Sequence, residues 1–247
     1  MSTAPSAENP TSGTTVYRNE DTRRYPVRLR GDLDPQLSRW QWMVKWFLAI
    51  PHYIVLVFLH LAYVVVTVIA FFSILFTGNY PRGLFEFNVG VLRWRWRVTF
   101  YAFGVLGTDK YPPFSLDSDP TYPADMEVDY PQRLHRGLVL IKWWLLAIPH
   151  YLVLMAFFAS VQLGADDGQG GLMLSLMAIL LIIAAVALLF TARYPRGLFD
   201  LIVGVHRWSV RVQAYTSLMC DEYPPLRLDM GARESVAVAS SAESAKP

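Results

Sequence analysis

The run WMVKWFLAIPHYIVLVFLHLAYVVVTVIAFFSILF, residues 42–76, decides the fold class of this chain of 247 residues. Its only formally charged residue is Lys45, near one end. A second apolar run covers residues 139–190 and is broken once, by the polar segment ADDGQGG at residues 165–171. Because about twenty apolar residues make one helical span of a bilayer, both runs predict membrane segments.

The chain contains an internal repeat, since the same motifs occur twice in the same order. The motif AIPHY at residues 49–53 recurs at residues 147–151, which is 98 positions later. The motif YPRGLF at residues 80–85 recurs at residues 194–199, which is 114 positions later. The second repeat therefore has 16 additional residues between these motifs, and they include ADDGQGG.

These motifs divide the chain into two membrane repeats, residues 25–121 and residues 122–230. Residues 1–24, rich in Ser, Thr, Pro and Ala, predict a disordered arm, and residues 231–247, rich in Ala and Ser, predict a disordered tail. The single cysteine, Cys220, excludes an intrachain disulfide and predicts an inert thiol.

We expect each repeat to form a transmembrane helical hairpin. In the second repeat, ADDGQGG separates two apolar arms. In the first repeat, the tip would lie near residues 60–63, between arms of about seventeen residues, which is the short limit for a span. The alternative for the first repeat is one long helix that crosses once, which would orient the two repeats oppositely, as in inverted-repeat transporters.

The distribution of basic residues favours two hairpins. No Lys or Arg occurs between Trp46 and Pro81 or between Trp143 and Ala192, so the basic clusters flank the apolar runs. Two hairpins place all of these clusters on one side of the membrane, and the positive-inside rule assigns that side to the cytoplasm. We therefore expect a multi-pass protein of the plasma membrane with both termini in the cytoplasm.

After YPRGLF, each repeat continues into a segment that we expect to form an interfacial amphipathic helix on the cytoplasmic surface. Its polar residues recur at i, i+4, i+7 and i+11, so they share one face of a helix. This polar stripe comprises Glu86, Gly90, Arg93 and Arg97 in the first repeat and Asp200, Gly204, Arg207 and Arg211 in the second. Short extended segments at residues 27–30, 114–116, 126–128 and 226–228 predict β-strands on the same side. The predicted fold class is a mainly α membrane protein.

The candidates for contact with anionic lipid or partner proteins are cationic residues at the expected membrane boundary. They are Lys45, Lys142, Arg93, Arg97, Arg207 and Arg211. A cation near an anionic membrane surface gains about 1 kcal/mol. The lipid bilayer, anionic lipids and other membrane proteins are therefore the expected partners, while a net charge of +2 gives no reason to expect nucleic acid.

His52 and His150 each follow a proline at the start of a predicted span. Proline is favourable in the first helical turn, so the simple interpretation is a helix start with a histidine at the polar boundary. The alternative is a pair of intramembrane polar residues that titrate or bind lipid, because ionisable groups at membrane depth are often functional.

The YPRGLF motif predicts a structural corner between an apolar arm and the next helix. Proline would end the arm, glycine would permit a tight reversal or close packing, and arginine would pair with an acid four residues later. The corner residues are Pro81, Arg82, Gly83 and Glu86 in the first repeat and Pro195, Arg196, Gly197 and Asp200 in the second. Valine at either glycine is expected to destabilise the corner more than alanine at either arginine.

No catalytic, cofactor-binding or metal-binding residues are predicted, since the sequence contains no P-loop, nucleophile elbow, zinc-protease motif or dinucleotide fingerprint. The favoured function is an accessory or adaptor protein that contacts anionic lipid or partner membrane proteins through a basic, aromatic cytoplasmic face. The alternative is a small transporter or channel with intramembrane histidines. A lipid-modifying enzyme is the third hypothesis.

The order of these motifs resembles a family of bacterial, mainly actinobacterial, membrane proteins that is known only as a domain of unknown function. The resemblance covers both repeats, about residues 25–228, and rests mainly on AIPHY and YPRGLF. It implies a bacterial plasma-membrane protein with a tandem domain and brings no activity, cofactor or catalytic residue with it. The second repeat departs from the pattern where Gly137 replaces Trp40 and where one residue is added before AIPHY.

Overall fold

The computed structural model describes residues 25–163 and 172–229. The predicted arm, the predicted tail and the ADDGQGG segment lie outside the described residues. The helices are α1 (Trp42–Leu48), α2 (Ile50–Thr77), α3 (Arg82–Tyr101), α4 (Leu138–Ile141), α5 (Ile148–Phe158), α6 (Leu176–Thr191) and α7 (Arg196–Thr216), with a π-helical segment (Lys142–Leu146) between α4 and α5. The strands are β1 (Val27–Gly31), β2 (Ala124–Val128), β3 (Val161–Leu163) and β4 (Leu172–Leu174).

The hairpin predicted for the first repeat is wrong, because α2 is one continuous helix of 28 residues. It passes through residues 60–63 without a break. The physical reason is that neither proline nor glycine occurs between Pro51 and Gly78, so nothing interrupts the helical hydrogen bonds. At about 1.5 Å per residue, α2 is about 42 Å long.

The additional residues of the second repeat interrupt the equivalent helix. Residue 158 corresponds to residue 60 and residue 175 to residue 61, so the 16 additional residues lie between α5 and α6. The parts that the structure describes form the antiparallel strands β3 and β4. Two helical stretches, Ile50–Thr77 and Leu138–Phe158, are long and apolar enough to cross a membrane, whereas α6 is apolar but shorter.

The residue added before the second AIPHY motif is accommodated by the π-helical segment Lys142–Leu146. A π-helix closes its hydrogen bonds over five residues instead of four, so it takes up one extra residue in a helix. Lys142 and His150 consequently keep the positions that Lys45 and His52 have in the first repeat, and all four side chains are buried.

Helix α3 lies between α2 and the β1–β2 sheet. On one side, Trp94 Nε1 donates a hydrogen bond to His52 Nδ1 of α2 at 3.1 Å. On the other side, Arg93 Nε donates to the Met126 carbonyl of β2 at 2.9 Å. Helix α7 packs in the same way against α6 and β1. We call the three levels the sheet layer (β1, β2), the inner helix layer (α3, α7) and the outer helix layer (α2, α5, α6).

The sheet layer joins the two repeats symmetrically. Its antiparallel register pairs Leu29 with Met126, which stands 97 positions later, the same offset that separates the Tyr-Pro pairs at residues 25–26 and 122–123. Leu29 and Met126 are thus equivalent residues of the two repeats. A pseudo-two-fold axis therefore passes between them. Of the four predicted strand segments, those at 27–30 and 126–128 are confirmed, while residues 114–116 and 226–228 form no strand.

The two repeats run in opposite directions about this axis. The corner after α2 lies at the N-terminal end of α3, next to the start of the second repeat, where Leu134 N donates to the Gly78 carbonyl at 2.9 Å. The corner after α6 lies beyond the C-terminal end of α3, where the Tyr194 hydroxyl donates to the Val105 carbonyl at 2.8 Å. The two YPRGLF corners are therefore at opposite ends of the inner helix layer.

The outer helix layer presents an apolar surface. The exposed fractions of Val57, Phe58 and Leu61 in α2 are 67%, 68% and 66%, and that of Leu152 in α5 is 64%. An apolar surface that continues along whole helices marks an interaction site rather than ordinary protein surface. Beneath it, one cluster of buried apolar side chains includes residues of both repeats, so the repeats share a core.

Candidate functional site

Lys45 is buried in an ion pair. Its ammonium group lies 2.8 Å from Asp109 Oδ1, donates to the Thr108 carbonyl at 2.7 Å and lies 5.2 Å from the centre of the Tyr101 ring. Burial lowers the pKa of Lys45, and Asp109 opposes that shift. The sequence predicted Lys45 at a lipid-facing surface. The structure corrects this, because partners inside the protein satisfy the charge of Lys45.

Lys142 repeats this arrangement with the equivalent residues. Its ammonium group pairs with Asp221, donates to the Cys220 carbonyl at 2.8 Å and lies 5.1 Å from the centre of the Tyr215 ring. Lys142 is also fully buried. Each lysine therefore links the start of its repeat to the segment that follows α3 or α7. Neither is the lipid contact that the sequence predicted.

The arginines of the polar stripe face the sheet layer and neighbouring segments of the chain. Arg93 Nε lies 3.1 Å from Asp125 Oδ1, and the fully buried Arg97 donates to the same oxygen at 3.5 Å. In the second repeat, Arg207 donates to the Leu29 carbonyl at 3.3 and 3.2 Å, and Arg211 lies 2.5 Å from Asp229 Oδ2. The expectation of an interfacial helix with its arginines in the headgroups is thus corrected, because backbone carbonyls and carboxylates of the chain itself satisfy these cations.

His52 and His150 occupy separate aromatic cages. The His52 ring stacks on Phe114, with the ring centres 3.9 Å apart, and Tyr111 lies 4.8 Å away. His150 has Trp208 at 5.6 Å and Tyr223 at 4.8 Å.

The hydrogen bonds inside these cages determine which ring nitrogens of the two histidines have no partner. Because His52 Nδ1 accepts from Trp94 Nε1, the proton of a neutral ring is on Nε2. Within the described residues, His52 Nε2 and both nitrogens of His150 have no hydrogen-bond partner. The structure therefore does not join the two histidines into one intramembrane pair.

The corner glycines do not have the role that the sequence predicted. A Cβ at Gly83 or Gly197 would meet nothing within 4 Å, and neither residue has a positive φ. The positive φ lies earlier, at Gly78 (76°) and at its equivalent Ala192 (53°), where α2 and α6 end. The reversal is therefore made at these residues, and Pro81 and Pro195 precede the first residues of α3 and α7 with an extended backbone.

The corner arginines also differ from expectation. Arg82 is exposed and lies 4.9 Å from the centre of the Tyr130 ring. In residues 25–163 and 172–229, no ion pair joins Arg82 to Glu86 or Arg196 to Asp200. Arg82 and Glu86 instead line one side of a shallow cleft that also includes Arg93.

A cavity of about 140 Å³ lies between α3 and α7. Four pairs of equivalent residues, each 114 positions apart, contribute to its wall, so the cavity lies on the pseudo-two-fold axis. These pairs are Leu92 and His206, Arg95 and Ser209, Trp96 and Val210, and Thr99 and Gln213. Phe158, at the end of α5, completes the wall. We call this space the axial cavity.

The polar groups of the axial cavity are not symmetric. Arg95 Nη1 donates to Gln213 Oε1 at 2.8 Å. Desolvation by the surrounding side chains lowers the pKa of Arg95, although the opening of the cavity leaves the side chain accessible. Burial lowers the pKa of His206 to about 4, so the ring is neutral at neutral pH and its Nε2 donates to the Gly104 carbonyl at 3.2 Å. Since arginine remains protonated in proteins, Arg95 is the cation of this cavity.

Sequence reasoning missed Arg95, His206 and Gln213 as site residues. The signal that identifies them is a difference between the repeats, because Arg95 replaces a serine, His206 a leucine and Gln213 a threonine of the other copy. Among the described residues, no group of three His, Cys, Asp or Glu side chains is arranged to hold a metal ion.

Comparison with known families gives a match to both halves of the chain. The model of the family described as Domain of unknown function (DUF4389) matches residues 39–115 and 170–226. Together these segments make up more than half of the chain, and each includes one YPRGLF corner with the helix that follows it. No curated protein and no solved structure matches the chain.

Proposed function

We propose that this chain, which belongs to the family described as Domain of unknown function (DUF4389), is an accessory or adaptor protein of the bacterial plasma membrane. It is anchored by its outer helix layer. It contacts anionic lipid or partner membrane proteins through the basic residues at the ends of that layer. These exposed residues are Arg39, Arg82, Arg133, Arg136, Arg193 and Arg196.

The observation that carries this proposal is the contrast between the two outer surfaces. The outer helix layer exposes Phe58, Leu61 and Leu152, among other large apolar side chains. The sheet layer exposes an ion-pair cluster, in which Arg28 donates to Glu127 at 3.1 Å and to Asp129 at 2.7 Å. A bilayer on one side and water on the other would solvate both surfaces favourably, which supports the proposed anchoring.

This contrast favours one orientation in the membrane. If α2 stood upright, the sheet layer would lie at the depth of the hydrocarbon, where exposed charged groups cost several kcal/mol. We therefore favour an arrangement in which the outer helix layer lies in the bilayer along the membrane plane and the sheet layer faces the cytoplasm. Both termini are then cytoplasmic, in agreement with the positive-inside rule. The alternative is the multi-pass form, in which Ile50–Thr77 and Leu138–Phe158 cross the bilayer.

The test is extraction of membranes with alkaline carbonate, which removes peripheral proteins and leaves integral ones. We expect the wild type to stay in the membrane pellet, and we expect the double variant Phe58→Asp/Leu61→Asp, which alters the outer helix layer, to be released. The control is Glu127→Gln in the sheet layer, which should behave as the wild type. Release of the wild type would contradict the proposal.

A second candidate function is a small transporter or channel. The observation that favours it is the axial cavity and not the histidines predicted from the sequence, since His52 and His150 are enclosed in cages. Flux of an anion through liposomes that contain the purified protein, and its loss in Arg95→Gln, would support this second candidate.

A further inference from the structure

We infer that the axial cavity binds the phosphate group of an anionic lipid and that Arg95 is the residue that holds this group. The inference rests on the proposed membrane function, because the ligand reaches the cavity from the bilayer. It assigns to anionic lipid a binding cavity and a binding residue, which the proposed function leaves open.

The first argument is the charge of Arg95. The buried cations Lys45 and Arg97 face the carboxylates of Asp109 and Asp125. Arg95 instead contacts the neutral amide of Gln213, and neither Asp nor Glu lines the axial cavity. A guanidinium group in a cavity without a carboxylate partner is stabilised by a bound anion.

The second argument is the set of donors around Arg95. Guanidinium groups bind phosphate through two parallel N–H donors, and Arg95 uses one of its donors for Gln213. The hydroxyl groups of Thr99 and Ser209 line the same cavity, and in the described part of the chain neither has a hydrogen-bond partner. The cavity therefore offers several unused donors to an oxyanion.

The third argument is an apolar recess that continues from the cavity. A recess of about 380 Å³ between α2 and α3 shares Arg95 and Thr99 with the axial cavity. Leu56, Val57 and Val98 line it, and Val57 is 67% exposed on the outer helix layer. A ligand with its phosphate at Arg95 can thus extend an acyl chain along α2 towards the bilayer, which a free phosphate cannot do.

The experiment measures binding to the full-length protein in a neutral detergent by native mass spectrometry. The probes are phosphatidylglycerol, which is anionic, phosphatidylcholine, which is zwitterionic, and inorganic phosphate. The variants are Arg95→Gln and the matched control Arg227→Gln, which removes an exposed arginine that lies outside the cavity and outside the set of arginines proposed to contact lipid. We expect Arg95→Gln to weaken phosphatidylglycerol binding by about tenfold or more, because a charge-assisted pair is lost. Arg227→Gln should bind as the wild type does.

A second variant tests the inference independently, in case Arg95→Gln fails to fold. Val57→Trp fills the apolar recess without changing any charge, and we expect it to weaken phosphatidylglycerol binding as well. Equal losses in Arg95→Gln and Arg227→Gln would overturn the inference, since they would indicate general electrostatic attraction. Equal binding of phosphatidylglycerol and phosphatidylcholine, or tighter binding of inorganic phosphate, would also overturn it.

The two proposals fail in different ways. If carbonate releases the wild type from membranes, the proposed membrane function fails. If the wild type stays in the membrane and Arg95→Gln binds phosphatidylglycerol as the wild type does, the assignment of the axial cavity fails alone.

Discussion

Leu29 and Met126, which pair across the sheet layer, occupy equivalent positions in the two successive repeats. Each strand therefore has its hydrogen-bond partner in the other repeat, and the carbonyls of these two residues accept hydrogen bonds from Arg207 and Arg93, respectively. We predict that residues 1–121 and residues 122–247 do not fold when produced separately and do associate when produced together. Gel filtration in detergent and circular dichroism measure this. A folded, monomeric single half would contradict it.

The ends of α2 and α6 provide a prediction about backbone conformation. Gly78 and Ala192 are equivalent and both have a positive φ, which is unfavourable for any residue with a Cβ. Gly78→Ala should lower the free energy of unfolding by about 1 kcal/mol, and Ala192→Gly should raise it, although the greater freedom of glycine in the unfolded chain offsets part of that gain. Thermal melting of both variants in one detergent measures the effect.

The control for this prediction lies in the same corners. Gly83 and Gly197 are in the first turns of α3 and α7, where a Cβ meets open space. Gly83→Ala should therefore stabilise the protein by about 0.5–1 kcal/mol, as alanine does in helices. A loss of stability in Gly83→Ala would restore the role that the sequence analysis gave to this glycine.

The buried ion pairs of Lys45 and Lys142 predict that mutations of the two partners have strongly non-additive effects on stability. Removing one member of a buried ion pair leaves an unpaired charge and costs about 3–5 kcal/mol. Lys142→Met should therefore destabilise the protein strongly, and the double variant Lys142→Met/Asp221→Asn should be more stable than the single one. The pair Lys45 and Asp109 should behave in the same way, since its geometry is equivalent. Additive effects in either double-mutant cycle would contradict this prediction.

The same pair predicts how stability depends on pH. Burial raises the pKa of Asp221, but hydrogen bonds from Lys142 and His135 outweigh it and hold the pKa below its usual value. The stabilisation by the ionised carboxylate is therefore complete above the unfolded pKa of about 3.9. It is lost as the pH falls through the lower folded pKa. Melting temperatures from neutral pH to about pH 3 should decrease less steeply in Asp221→Asn than in the wild type.

Chemical labelling can test the orientation in the membrane. Cys220 is buried and burial raises the pKa of its thiol to about 12, so it should not react with maleimide in the folded protein. Cysteines placed at Arg82 and Arg196 can therefore be labelled against the native background. We predict that both label from the cytoplasmic side, because the proposed arrangement places the outer helix layer along the membrane plane. Labelling from opposite sides would establish the upright, inverted arrangement.

The sequence predicted much of the fold through the internal repeat. The apolar runs identified helices that are long enough for a membrane, and the match of two segments to one family agrees with a tandem repeat. The hairpin predicted for the first repeat failed because it transferred the polar interruption of the second repeat to a stretch without a helix breaker. The alternative prediction for the first repeat was one continuous helix. The structure decides between the hairpin and this helix, because α2 continues unbroken from Ile50 to Thr77.

The site could be predicted only in part because a pattern identifies a polar face without identifying its partner. The stripe of Arg93 and Arg97 has the same spacing whether it faces headgroups or β2, and the structure shows that it faces β2. Arg95 and Gln213 are 118 residues apart, and only the pseudo-two-fold packing of α3 on α7 brings them together. A residue-by-residue comparison of the two repeats would have identified both positions as exceptions.

The pairing of β1 with its equivalent strand β2 also has an evolutionary consequence. A protein with a single repeat could close on a second copy about the same axis and form an isologous homodimer. In that homodimer, the position of Arg95 would face its own copy across the axis, so two guanidinium groups would repel each other. Joining the copies in one polypeptide removes this constraint, because each axial position can then mutate alone. The axial cavity, with Arg95 at one position and Ser209 at the equivalent one, shows a difference that a gene fusion permits and that two identical copies cannot have.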